Sequence, residues 1–193
     1  MIPFAEMCDR ILICKDCDLH LYRRRAVCGH GSPESDLLFI GEAPGRTEEM
    51  EGSPFVGRSG KLIDSVLRDA GIGREEIYIT NAVKCRPKNG ASPRIVEIRK
   101  CSPYLRQEIE MVRPRIIVPM GNSALRALGL VLNQRFPKIS EIAGKRIRVQ
   151  GYEVVPQYHP AAILRNPKKM ESFKLNFLSV SRILRELGPR SQT

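Results

Sequence analysis

Cys14 and Cys17 form a C-x2-C pair near the start of the chain, and Cys85 and Cys101 form a second pair with fifteen residues between them. Thiolates are soft ligands, so four of them could hold either a zinc ion or an iron–sulfur cluster once the fold brings the distant pair near. Spacing alone does not choose between the two metals. Cys8 and Cys28 have no nearby partner and read as buried small hydrophobic side chains, with Cys8 close enough to Cys14 to compete as a ligand. No disulfide framework is expected of a chain that reads as cytoplasmic.

Other reactive side chains fall at the ends of apolar runs. Gly41-Glu42-Ala43-Pro44-Gly45 could let backbone amides approach an anion, although it matches neither common phosphate-binding fingerprint and a tight turn is the competing reading. Phe55 stands among turn residues, where it could stack on a base or plug the core. The amide of Asn81 offers a donor and an acceptor to a planar base edge, or caps the next turn. His159, before Pro160, is one of three histidines and has a titratable ring suited to catalysis, though a lone histidine more often packs. His20 and His30 read as surface or packing residues.

These residues need elements to carry them. Apolar runs at 36–40, 76–83 and 115–120 read as buried strands, and 146–150 with 154–158 read as a hairpin or paired strands. Helical periodicity marks 61–70, 95–112, 123–128 and 173–187, while 188–193 reads as a frayed tail. Strands alternating with helices predict an α/β fold of three layers, α/β/α, around a central, mainly parallel four-stranded sheet. Ligands in such sheets gather at the carboxyl ends of the strands, where the segments at 41–45, 80–81 and 159–165 fall.

At 193 residues and 42% hydrophobic content the chain is expected to form one domain over 1–193. The N-terminal residues lack the basic start and long apolar run of a leader, and a membrane partner is not expected. The formal charge of +11 points to a polyanion such as nucleic acid. Arginines outnumber lysines about two to one, and the guanidinium fork matches phosphate geometry.

Taken together, Gly41-Glu42-Ala43-Pro44-Gly45, Pro54-Phe55-Val56-Gly57, Ile79-Thr80-Asn81, Val83-Lys84-Cys85-Arg86-Pro87 and His159-Pro160 with Leu164-Arg165-Asn166-Pro167 resemble the family 4 uracil-DNA glycosylases, from about Cys14 to Pro167. The resemblance implies a [4Fe-4S] cluster on Cys14, Cys17, Cys85 and Cys101. It implies that His159 donates to uracil O2, that Asn81 reads the uracil edge and that Phe55 stacks on the extruded base, with Gly41 and Ala43 in the same pocket. The segment 161–165 is placed to enter the minor groove, with Ile163 or Leu164 as the wedge and Arg165 on a phosphate.

Better-known relatives carry an aspartate where this chain has Ala43, which makes Glu42 the leading residue to hold the water. They carry a tyrosine where this chain has Gly45, and Glu48 is the residue expected to fill that space. The loop at Asn89-Gly90-Ala91-Ser92-Pro93 departs from the family pattern and leaves Asn89 without an assigned role. The expected protein is therefore a monomeric, monofunctional glycosylase acting at the nucleoid on uracil-containing DNA, double- or single-stranded. Its rivals are a related glycosylase of other base specificity and a non-catalytic, zinc-stabilised nucleic-acid-binding module.

Overall fold

The computed structural model describes residues 3–190, so of the expected frayed tail at 188–193 the part 191–193 lies outside the described residues. The part 188–190 is held in place instead: Arg190 donates to Asp36 and to the Ser35 and Arg113 carbonyls, and Gly188 O accepts from Arg115. Among the described residues six strands form one sheet: β1 (His30–Gly31), β2 (Leu37–Gly41), β3 (Ile77–Asn81), β4 (Ile116–Pro119), β5 (Ile147–Val149) and β6 (Tyr152–Val154). Their order is β1-β3-β2-β4-β6-β5. The inner four are mutually parallel, and the two edge strands run antiparallel to their neighbours.

The expected count of four strands is thus corrected to six. β1 has only two residues, too few to leave a period-2 signal, and β5 joins β6 through Gln150 and Gly151, both at positive φ as a tight hairpin requires. β6 also ends earlier than expected because Pro156 cannot donate to a ladder. The chain nevertheless continues beside β4, with Val155 N donating to Ile117 O and Gln157 N to Pro119 O, and this carries it to His159.

Among the described residues eight α-helices flank the sheet: α1 (Phe4–Ile13), α2 (Arg46–Glu51), α3 (Arg58–Asp69), α4 (Ile95–Val112), α5 (Asn122–Val131), α6 (Ile139–Ile142), α7 (Pro160–Arg165) and α8 (Met170–Leu187). β2 and β3 are buried at every position, as strands covered on both faces must be. Leu38, Ile40, Tyr78 and Ile117 pack with Met7 and Ile11 of α1, Ile98, Leu105 and Ile109 of α4 and Leu128 of α5. Leu37, Phe39, Ile79 and Val118 face the other way, onto Ile63 and Leu67 of α3, Ile163 of α7 and Phe173 and Phe177 of α8.

α3, α4, α5 and α8 match the periodicity closely; α1 is an addition to the expected helices, and α2, α6 and α7 are too short to show a period. α4 contains Pro103, which removes the amide that would bond Arg99 O; the Ser102 hydroxyl donates to that carbonyl instead, at 2.9 Å. The helix therefore passes the proline intact and keeps Cys101 on its buried face.

Candidate active site

A cleft of about 530 Å³ opens at the carboxyl ends of the parallel strands. Its lining includes Glu42, Ala43, Gly45, Glu48, Phe55, Asn81, His159 and Arg165, so residues spread over more than a hundred positions of sequence share one space. The volume falls in the range that takes a small planar ligand.

The parallel register sets Gly41 directly beside Asn81. A side chain at Gly41 would collide with the Phe55 ring and with Asn81 Oδ1, so glycine is what lets these two groups meet. Phe55 has φ 58°, an uncommon conformation for an aromatic residue, and Gly60 makes room for its backbone. The ring is largely buried yet borders the cleft, 6.3 Å from the His159 ring between centroids; it is core residue and pocket wall at once. Asn81 Oδ1 is buried and has no hydrogen-bond partner among the described residues. An unpaired buried acceptor in a cleft is suited to a ligand N–H. Gly41→Ala is expected to displace Phe55 and Asn81 and to lower kcat/KM at least about tenfold, measured alongside an unfolding transition close to the parent's.

His159 is the N-cap of α7, and its Nδ1 accepts from the Ala161 amide at 3.2 Å. The ring proton of the neutral form therefore sits on Nε2. Burial lowers the His159 pKa, Glu42 opposes the shift, Arg165 adds to it and Glu48 opposes it. The local structure thus holds a neutral imidazole that can donate through Nε2. Pro160 at the first helical position suits the start of α7, where its missing amide costs nothing.

Glu42 follows β2 and accepts from two hydroxyls, Ser123 Oγ at 2.7 Å and Ser92 Oγ at 3.2 Å. Neither serine was singled out in the sequence; they lie 81 and 50 positions away, and an isolated serine carries no local signal. Glu48 is buried, accepts from Gly57 N at 2.9 Å, and has Oε2 where a side chain at Gly45 would project. Arg46, Arg58 and Arg86 join Arg165 around the cleft, a cationic set that only the fold assembles.

The expected wedge pair separates cleanly. Ile163 is 0% exposed and belongs to the core beneath α7, so it is not available to a ligand; Leu164 is 42% exposed. The alternation follows from a six-residue helix that presents one side to the sheet.

Cys14 and Cys17 lie in the turn after α1, Cys85 in the loop after β3, and Cys101 in α4. Their thiols are close enough to influence one another's ionisation, although among the described residues no three such groups converge on a single-ion site. Burial pushes the Cys101 thiol up to about 12, with Lys84 opposing it, and burial also raises Cys85 and Cys17. Arg23 Nη1 donates to Cys85 Sγ at 3.0 Å and Lys84 N to Cys101 Sγ at 3.3 Å. Four thiols, of which Cys85 and Cys101 receive N–H donors, fit a four-thiolate metal group, and binding one would drive off their protons.

Cys8 and Cys28 are not lone hydrophobic residues. They form a disulfide with a Cα–Cα distance of 5.7 Å, which corrects the expectation for both and removes Cys8 as a rival ligand. The pairing spans 20 residues, with the C-x2-C turn inside the loop, so linear spacing did not reveal it.

The model of the Uracil DNA glycosylase superfamily matches residues 28–186. The chain is 37% identical to a type-4 uracil-DNA glycosylase of Archaeoglobus fulgidus, over 98% of this chain and 97% of that one. It is 40% identical to a type-4 uracil-DNA glycosylase of Saccharolobus solfataricus, over 91% of this chain and 84% of that one. A type-4 uracil-DNA glycosylase of Thermotoga maritima is 39% identical, over 82% of this chain and 81% of its own.

Proposed function

The chain belongs to the uracil-DNA glycosylase superfamily, among relatives of type 4, and we infer that it is a uracil-DNA glycosylase of DNA repair. The observation that carries the mechanism is the pairing, in one cleft, of the unpartnered Asn81 Oδ1 with a neutral His159 whose proton is on Nε2. Uracil presents an N3–H donor and an O4 acceptor, which match the oxygen and the NH2 of the Asn81 amide. Cytosine reverses both and leaves the buried amide facing like groups.

As the C1′–N1 bond breaks, its electrons move onto uracil and charge grows at O2, where the His159 Nε2–H donates. Phe55 holds the base plane. Glu42, fixed by Ser92 and Ser123, accepts from a water and directs its oxygen to C1′. Glu48, beside Gly45, occupies the space from which a thymine methyl would be excluded. No lysine is among the described residues lining this cleft, which supports a monofunctional hydrolase that leaves an abasic site.

Arg46, Arg58, Arg86 and Arg165 suit the phosphates on either side of an extruded nucleotide. Leu164 fills the gap left in the stack. Leu164→Ala is expected to cost about tenfold on double-stranded uracil DNA and little on a single strand, where no gap needs filling. Ile163→Ala should instead destabilise the fold by about 2–4 kcal/mol, as core truncations do. Parallel excision assays and unfolding curves separate the two effects.

Cys14, Cys17, Cys85 and Cys101 would hold a [4Fe-4S] cluster, which supplies a cross-link between the N-terminal turn and the segment after Asn81. The enzyme acts as a monomer at the nucleoid on this reading, and none of its described helices is long and apolar enough to cross a membrane. The test is incubation with a uracil-containing oligonucleotide followed by alkali. Cleavage at uracil is expected, and its absence overturns the assignment.

A further inference from the structure

Between the base-reading end of β3 and the cysteine segment lies a charged pair with almost no access to solvent. Lys84 and Glu108 of α4 are 2% and 0% exposed, with Nζ 2.6 Å from Glu108 Oε2. Thr80 Oγ1 donates to the same carboxylate and accepts from Lys84 Nζ, and the Tyr78 hydroxyl donates to Glu108 Oε1 at 3.2 Å. A buried ion pair adds little stability beyond apolar residues of equal volume, so folding alone does not account for it.

The lysine has two further contacts. Its ammonium donates to the Asn81 carbonyl at 3.0 Å, and its own backbone amide donates to Cys101 Sγ at 3.3 Å. One residue therefore grips both the strand end that presents the Asn81 amide and the cysteine on α4. Neither Lys84 nor Glu108 reaches the cleft.

We propose that Lys84 and Glu108 are positioning residues for uracil recognition, fixing the Asn81 backbone so that its amide meets the base edge and coupling that register to the cysteine segment. The inference rests on Asn81 reading uracil. In its absence the strand end would relax by a fraction of an ångström, which a hydrogen-bonding site does not tolerate.

The test exchanges both partners at once, Lys84→Met with Glu108→Gln, so that no buried charge is left alone. A folded variant with full iron content is expected to lose about tenfold in kcat and to narrow its preference for uracil over cytosine. In an Asn81→Ala background the same exchange should have almost no further effect, because its route of action is gone. Wild-type kcat and selectivity in the folded pair variant, or an equal loss in both backgrounds, overturns the proposal. Should the pair variant not fold, Thr80→Val removes the hydroxyl that both partners share; a loss of about threefold supports the proposal and unchanged kcat overturns it. If Asn81→Ala itself leaves kcat and selectivity intact, the base-reading role falls and takes the proposal with it. If Asn81→Ala acts and the pair exchange does not, only the positioning role falls.

Discussion

His159→Asn is expected to lower the single-turnover rate of uracil excision by about 10²–10³-fold while leaving the unfolding transition nearly unchanged. Asparagine is chosen because it is a good N-cap, so the bond to the Ala161 amide that starts α7 can be kept. What it lacks is a ring N–H at the position of Nε2. A loss below about threefold would remove His159 from the reaction. The pH dependence follows from the same geometry. Burial depresses the His159 pKa, so the neutral form that donates from Nε2 persists below the ordinary value near 6.5. The rate controlled by this group should be flat through pH 6.5 and fall only in more acid solution.

The sign for stability is the same. The unfolded chain takes up the proton more readily than the folded one, so His159 carries no penalty well above pH 6.5. The penalty grows as pH falls towards the depressed folded value. His159→Asn should abolish that acid penalty, which unfolding curves at several pH values would read.

Cys101→Ser is expected to lose most of the bound iron and its visible absorbance, to lower the thermal midpoint by about 10 °C or more, and to lose activity with it. Cys101 is buried in α4 and takes the Lys84 amide, so its sulfur touches the segment that follows Asn81. The control is Cys8→Ser with Cys28→Ser, which breaks the disulfide and should leave the iron content unchanged. Full iron in Cys101→Ser, or iron loss in the control, would show that the ligand set has been assigned wrongly. Stoichiometric zinc without iron in the parent protein would replace the cluster with a single-ion site.

Much of the fold is legible because its central strands β2, β3 and β4 are short apolar runs buried on both faces and helices such as α4 and α8 carry an apolar stripe. β2, β3, α4 and α8 announce themselves in this way. The edge strand β1, the short α7 and the true extent of β6 do not, since two to six residues leave too few repeats to define a period. The partners of Glu42 were equally silent: Ser92 and Ser123 gain meaning only from the carboxylate that they meet.

The sequence by itself determined the chemistry available: four thiols in two pairs, a carboxylate after β2, an amide at the end of β3, an imidazole before Pro160, and a surplus of arginine. Local types and spacings are written directly in the chain, and so is the resemblance that they carry. Only the tertiary structure decided that Cys8 pairs with Cys28, that Leu164 and not Ile163 faces outward, and that Gly41 admits Phe55 to Asn81. It also decided that His159 holds its proton on Nε2 and that Lys84 ties the strand end to Cys101. Each of these depends on burial or on contact between distant segments, and neither exists until the sheet register and the packing of helices on its two faces bring those segments together.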